Sequence, residues 1–240
     1  MTEGQEKVRG VADIVFLIDA TGSMQPCIDA LKRNIETFVD SLTVRSGNNV
    51  SPVRDWRAKV VGYRDFEADA EPYVDNPFVS DAVALKGQLS ALSAIGGGDE
   101  PESLLDAVYR LATMGQTEKG VQEADPSKWR YRSAAARVVI VFTDAPYKEA
   151  MALPEAKGGV LGDVANAVMS NRIILSVFAP EMECYDRLSE IDKAEYTAIP
   201  VGSDGPQEAL VKFTADQANF RETLKQLAAS VSKSAETPSL

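Results

Sequence analysis

The sequence predicts an α/β domain: an open, doubly wound, mostly parallel sheet with helices on both faces and one short antiparallel edge strand. Three observations carry that prediction. Residues 11–19 and 137–144 are near-continuous apolar runs, each closing on an aspartate, as in parallel strands buried on both faces. Segments with apolar residues at three- and four-residue spacing alternate with such runs along the chain. No internal repeat or linker divides the 240 residues, a length at which one α/β domain buries a sizeable core.

Taken in order, residues 11–19 predict the first strand and 24–42 a helix, on the recurrence of Ile28, Leu31, Ile35, Phe38 and Leu42. Residues 57–63 read as a strand and 72–79 as a shorter one, whose prolines suit a sheet edge. A helix over 81–92 leads to the turn Gly96-Gly97-Gly98. The next helix is expected to begin near Pro101, a favourable first-turn residue, and carries Leu104, Leu105, Val108 and Leu111 on one face. Residues 115–133 are polar, lack periodicity and read as a long loop. After the strand ending at Asp144 come a helix marked by Leu161, Val164 and Val168, a strand over 173–179, a short helix over 184–191 and a last strand over 196–200. A closing helix over 216–232 buries Phe220, Leu224, Leu227 and Val231. The expected organisation is a tail over 1–10, one domain over 11–233 and a disordered tail over 234–240.

Composition removes several classes of function. The net charge of −11 argues against a nucleic-acid binder, which needs clustered Lys and Arg; the basic-aromatic run from Lys128 to Arg132 reads as a solvated loop. Histidine is absent, which removes Ser-His-Asp triads, histidine general bases and His-ligated zinc. No run approaches the ~18–20 apolar residues of a membrane span, and residues 1–10 lack the apolar core of an export signal. Cys27 and Cys184 lie far apart and outside any C-x-x-C pattern, so two free thiols and a cytoplasmic location are expected.

The candidate chemistry lies at the strand ends. In open parallel sheets, ligands bind beyond the carboxyl ends of the strands, where Asp19 and Asp144 both fall. Two carboxylates at one sheet edge repel, and a cation between them removes the repulsion. Thr21 and Ser23 follow Asp19 in the turn, at alternate positions that let their hydroxyls converge with its carboxylate. Capping of the following helix is the simpler use of such hydroxyls, but the two strand ends together favour a cation. Oxygen-only ligands suit a hard ion, Mg²⁺ or else Mn²⁺ or Ca²⁺.

The segment from Phe16 to Met24, with Asp19-Ala20-Thr21-Gly22-Ser23 at its centre, resembles the first motif of von Willebrand factor A domains. Their metal-ion-dependent adhesion site has the form Asp-x-Ser/Thr-x-Ser. Val141-Phe142-Thr143-Asp144-Ala145 looks like the motif after their fourth strand. Gly96-Gly97-Gly98-Asp99-Glu100-Pro101-Glu102 is similar to the version found in hemicentin-like and α-kinase-associated members. The resemblance spans residues 11–231 and implies a Rossmann-like fold with Asp19, Thr21, Ser23 and Asp144 as metal ligands. The best-known members have a threonine at the middle motif. Here the loop looks like that of integrin β-subunits, which implies Glu102 as a ligand, with Asp99 the alternative or a supporting group. An acidic first helical turn would account for both residues without a metal.

The resemblance implies a Mg²⁺-dependent protein-interaction module whose metal accepts an Asp or Glu from a protein partner, without nucleic acid or membrane. Two other readings are a Mg²⁺-dependent phosphoryl-transfer or hydrolytic enzyme and a scaffold with a purely structural metal. Against an enzyme, the position two residues after Asp19 holds Thr21 instead of a second carboxylate, and no histidine activates Ser23. Tyr147, Met151 and Leu153, just after Asp144, are candidates for a contact surface.

Overall fold

The computed structural model describes residues 10–43, 53–97 and 100–236. Six strands form one sheet in the order β3-β2-β1-β4-β5-β6. They are β1 (Val11–Asp19), β2 (Asp55–Tyr63), β3 (Tyr73–Asp75), β4 (Ala136–Phe142), β5 (Ile173–Pro180) and β6 (Ala194–Ile199). Every neighbouring pair is parallel except β2 with the short edge strand β3. The sheet thus has the mostly parallel form and the antiparallel edge that the apolar runs and prolines predict.

Alternation along the buried strands feeds two cores. From β1, Ile14, Phe16 and Ile18 join the cluster beneath helices α1 (Gln25–Thr43), α2 (Ala82–Ala91), α6 (Pro206–Ala215) and α7 (Gln217–Glu236). Val15 and Leu17 point the other way, into the cluster under α3 (Leu104–Thr113), α4 (Leu161–Ser170) and α5 (Glu183–Ser189). Both faces of β1 and β4 are fully covered, which is why their sequences read as continuous apolar runs rather than alternating ones. Strand order reverses between β2 and β4 on either side of β1, opening a crevice at the carboxyl end of β1.

Several elements differ from the sequence expectation. The third helix starts at Leu104, not near Pro101, because Glu102 is drawn into an isolated parallel bridge with Tyr147. Helix α6 was not expected: its buried residues are only Ala209, Leu210 and Thr214, too few for a clear helical period. Helix α7 runs to Glu236, beyond the point where its apolar pattern fades. Of the tails expected over 1–10 and 234–240, residues 234–236 instead continue α7, where Ala235 O accepts from Gly10 N–H at 3.2 Å, and residues 1–9 and 237–240 lie outside the described residues.

One candidate surface turns out to be internal, and the basic-aromatic loop is anchored at its centre while Lys128 and Arg132 stay exposed. Trp129 is fully buried with its indole N–H donating to Leu111, and the Arg130 guanidinium pairs with Asp55 at 2.8 Å. The basic-aromatic run therefore closes the amino-terminal edge of the sheet. Tyr147, Met151 and Leu153 are at most 3% exposed; they pack the loop after β4 and offer no contact surface. Both cysteines are free thiols, and no helix among the described residues is long and apolar enough to cross a membrane.

Candidate metal centre

Asp19 ends β1 and is completely buried. Its Oδ1 accepts from the Thr21 N–H at 3.0 Å and the Thr21 hydroxyl at 2.7 Å, and its Oδ2 accepts from the Thr143 hydroxyl at 2.9 Å. The Thr21 and Ser23 hydroxyls stand 3.4 Å apart in the turn that enters α1. Asp144 lies two residues beyond β4 and is 1% exposed, and neither of its carboxylate oxygens has a hydrogen bond.

Glu102 reaches the same place from the other side of the crevice. Its N–H donates to Pro146 O and its carbonyl accepts from Lys148 N–H, both at 2.8 Å, so its backbone is clasped to the loop that follows Asp144. The side chain is buried and Oε2 lacks a partner. Gly97 shows how closely the walls meet. At φ +75° it occupies the left-handed region, and a Cβ there would stand 2.4 Å from Thr21 Cγ2 and 2.9 Å from Glu102 Oε1. Only glycine lets this loop close over both side chains. Asp99, the alternative to Glu102, lies outside the described residues.

The electrostatics follow from crowding acids into a buried pocket. Burial pushes the Asp19 carboxyl up to about 6; its Thr21 hydrogen bonds oppose the rise and the Asp144 charge adds to it. Burial, followed by the charges of Asp19, Asp65 and Asp69, pushes Glu102 up to about 8, against the opposing Lys148 ammonium. Asp144 is also raised by burial, with the nearby Ser23 hydroxyl acting against the rise. All three carboxyl groups are raised together, and two of them, Asp144 and Glu102, carry buried oxygens without a hydrogen-bond partner.

The family model for the von Willebrand factor type A domain matches residues 13–229. The chain belongs to this family. A Dictyostelium discoideum relative, "Alpha-protein kinase vwkA", is 28% identical over 134 residues, which is 56% of this chain and 18% of that protein. Proximal thread matrix protein 1 from the mussel byssus, described with a zinc-occupied MIDAS motif, is 14% identical with a TM-score of 0.51, covering 91% of this chain and 47% of that one. The pilus adhesin SpaC of Lactobacillus rhamnosus GG, in its open conformation, is 12% identical with a TM-score of 0.49, covering 92% of this chain and 30% of that one. The chain thus spans under half the length of each of these relatives.

Within this von Willebrand factor A domain, the structure brings Asp19, Thr21, Ser23, Glu102 and Asp144 to one crevice. It also shows a surrounding layer that the sequence reading had not assigned. Arg64 spans three loops, donating to Ala20 O at 3.2 Å and to Glu71 O and Ser93 O at 3.0 Å each. Asp69 accepts from the N–H groups of Asp65 and Gly97, both at 3.2 Å. Lys148 donates to Asp65 and Glu67 at 2.7 Å each. Burial works against the Asp65 charge, yet the Lys148 and Glu67 hydrogen bonds hold its carboxyl below the usual range. One local signal was available: Tyr63-Arg64-Asp65 closes a buried strand on charged residues, as residues 11–19 do. Lys148 could not be matched to Asp65 from sequence, since 83 residues separate them.

Proposed function

We propose that this domain is a divalent-cation-dependent protein-interaction module. Asp19, Thr21, Ser23, Glu102 and Asp144 would hold the ion, and an Asp or Glu of a partner protein would complete its coordination. The observation that carries this reading is the unsatisfied Asp144 carboxylate, both oxygens buried without a hydrogen bond, beside the raised Asp19 and Glu102. Buried acids in native proteins are paired, protonated or bound to metal, and oxygen donors alone favour Mg²⁺, Mn²⁺ or Ca²⁺.

The donor set fits such an ion. Among the described residues, no group of three or more Asp, Glu or Cys side chains forms a metal cage by itself, so the hydroxyls of Thr21 and Ser23 belong to the reading. They add oxygen donors without adding negative charge. When bound, the cation supplies an electron-poor centre for a partner's carboxylate. Asp19 is held in one orientation by Thr21 and Thr143, Glu102 by its backbone clasp, and Gly97 keeps the crevice narrow. Were three carboxylates in direct contact, the local charge would be −1 and partner capture weak; with one or two behind water, the ion stays attractive to an anion. Asp99 remains the alternative to Glu102.

A binding role also suits the residues that would otherwise serve catalysis. Lys148 is tied to Asp65 and Glu67, Ser23 has no histidine to activate it, and Thr21 donates its proton to Asp19. The kinase named in the D. discoideum relative concerns a protein of which this chain covers 18%, so we assign phosphoryl transfer no residue here. The test is capture of partners from the host proteome on immobilised chain in Mg²⁺ and in EDTA, with Asp19→Ala as the matched control. Proteins retained only in Mg²⁺ and lost with Asp19→Ala are expected. An identical set under all three conditions would contradict the proposal.

A further inference from the structure

Tyr63 stands level with Asp19 at the carboxyl ends of neighbouring strands. The two are register partners in the parallel pairing of β1 and β2, and the Ala20 N–H donates to Tyr63 O at 2.8 Å. Residues at one level of adjacent strands present their side chains to the same face. That face is the second cluster, where Tyr63 packs with Leu17 and Val61. On the other side of Asp19, Thr143 takes the next place after the Ile18–Phe142 pair of β1 and β4, and its hydroxyl donates to Asp19 Oδ2 at 2.9 Å. A phenol, a carboxylate and a hydroxyl thus end three adjacent strands in one row.

The Tyr63 hydroxyl is fully buried and has no hydrogen-bond partner. Tyr185, brought into the same cluster by α5, shows the ordinary arrangement: it is equally buried, and its hydroxyl donates to Ala145 O. Buried phenols are normally paired, and phenylalanine would fill the place of Tyr63 without stranding an O–H. Packing therefore explains the ring and leaves the hydroxyl unexplained. Burial, followed by the Asp19 charge, pushes this phenol well above its ordinary range, with Glu102 adding to the rise and the Thr143 hydroxyl opposing it. The O–H thus remains a donor. Thr143 gives its own proton to Asp19, so its oxygen keeps the capacity to accept, and the Ala145 N–H at 3.5 Å occupies little of it.

We propose that Tyr63 is a positioning residue of the metal centre, the outer donor in a line Tyr63–Thr143–Asp19 that closes when a cation engages Asp19. The inference rests on the cation-binding reading given above. A donor behind a donor polarises the hydroxyl between them and tightens its hold on the carboxylate, and such outer partners fix the orientation of metal ligands. A contact that forms together with the cation adds to affinity and leaves the stability of the chain in EDTA unchanged. That separates Tyr63 from Thr143, whose hydrogen bond to Asp19 already serves the fold.

The test is a double-variant cycle on the full chain: wild type, Tyr63→Phe, Thr143→Val and both together. Each is titrated with Mg²⁺ by calorimetry and melted in EDTA. Tyr63→Phe is expected to weaken Mg²⁺ binding by about ten-fold while its melting temperature in EDTA stays the same or rises, since an unpaired buried hydroxyl has been removed. The double variant should bind no more weakly than Thr143→Val alone, because Tyr63 acts through Thr143. Unaltered Mg²⁺ affinity in Tyr63→Phe beside normal wild-type binding would overturn this inference and leave the metal centre standing. A lowered melting temperature in EDTA would assign the hydroxyl to the fold, and losses that multiply in the double variant would break the line through Thr143; either result overturns the proposal. A wild-type chain that binds no Mg²⁺, Mn²⁺ or Ca²⁺ would overturn the metal centre itself, and this inference with it.

Discussion

The Thr143 hydroxyl donates to Asp19 Oδ2 across 2.9 Å, joining the end of β4 to the end of β1 beneath the candidate metal centre. The other Asp19 oxygen is already engaged by Thr21. The carboxylate is thereby fixed in rotation before any ion arrives. Thr143→Val removes the donor at nearly constant volume and leaves a buried oxygen short of one hydrogen bond. A loss of about 1–3 kcal/mol in unfolding free energy is expected, together with a drop of about ten-fold or more in cation affinity. Urea unfolding and isothermal titration with Mn²⁺ measure the two effects.

Gly97 is the narrowest point of the site. Alanine there must adopt φ +75° and drive its Cβ into Thr21 and Glu102. Gly97→Ala should destabilise the domain by about 1–3 kcal/mol and weaken cation binding. Gly22→Ala, in the neighbouring turn, has open space around its Cβ and should leave both nearly unchanged. Parallel denaturation curves of the two variants decide the point.

The raised carboxyl groups set a pH dependence whose sign can be worked out. Between the ordinary carboxyl range and about 6 for Asp19, and about 8 for Glu102, the folded chain holds protons that the unfolded chain has lost. Stability without metal is therefore greatest at the acidic end and falls as pH rises through these values, by at most about 1.4 kcal/mol per pH unit for each group. A bound cation favours the ionised forms, so its affinity should rise over the same interval. Melting temperatures from pH 5 to 8.5, in EDTA and in Mg²⁺, should show a falling curve and a flatter one.

Lys148 sets a positive charge beside Glu102, bound to Asp65 and Glu67 and opposing the rise of the Glu102 carboxyl. Lys148→Met leaves those carboxylates without their cation and makes the crevice more negative. Stability in EDTA should fall while cation affinity rises, a pairing of opposite effects that a general folding defect would not produce. Calorimetric titration alongside thermal melts separates the two.

Much of this site is local in sequence, and that part was legible. Asp19, Thr21 and Ser23 share one turn, and the apolar runs ahead of Asp19 and Asp144 reveal both strand ends. The role of the Glu102 loop was legible only as a resemblance, and its structural consequence was not. Its bridge to Tyr147 and the Pro146 carbonyl is a contact across 45 residues of chain, and it delays the helix that Pro101 led one to expect. Arg64 and Lys148 act through carbonyls and carboxylates on distant loops, which no periodicity records. Tyr147, Met151 and Leu153 looked like a surface because apolar residues in a loop have no period that distinguishes packing from exposure. Helix α6 was missed for a related reason: Ala209, Leu210 and Thr214 bury too little to stand out before the stronger pattern of α7.

Cation binding at Asp19 and Asp144 is most directly tested by thermal melting of the wild-type chain and of Asp19→Ala, each in EDTA and in millimolar Mg²⁺, Mn²⁺ or Ca²⁺. An ion present at about 100 times its Kd should stabilise the wild type by about 2.7 kcal/mol. A rise of several degrees is therefore expected for the wild type and none for Asp19→Ala, which should still unfold cooperatively. A wild-type melting temperature unmoved by all three cations would contradict the metal centre.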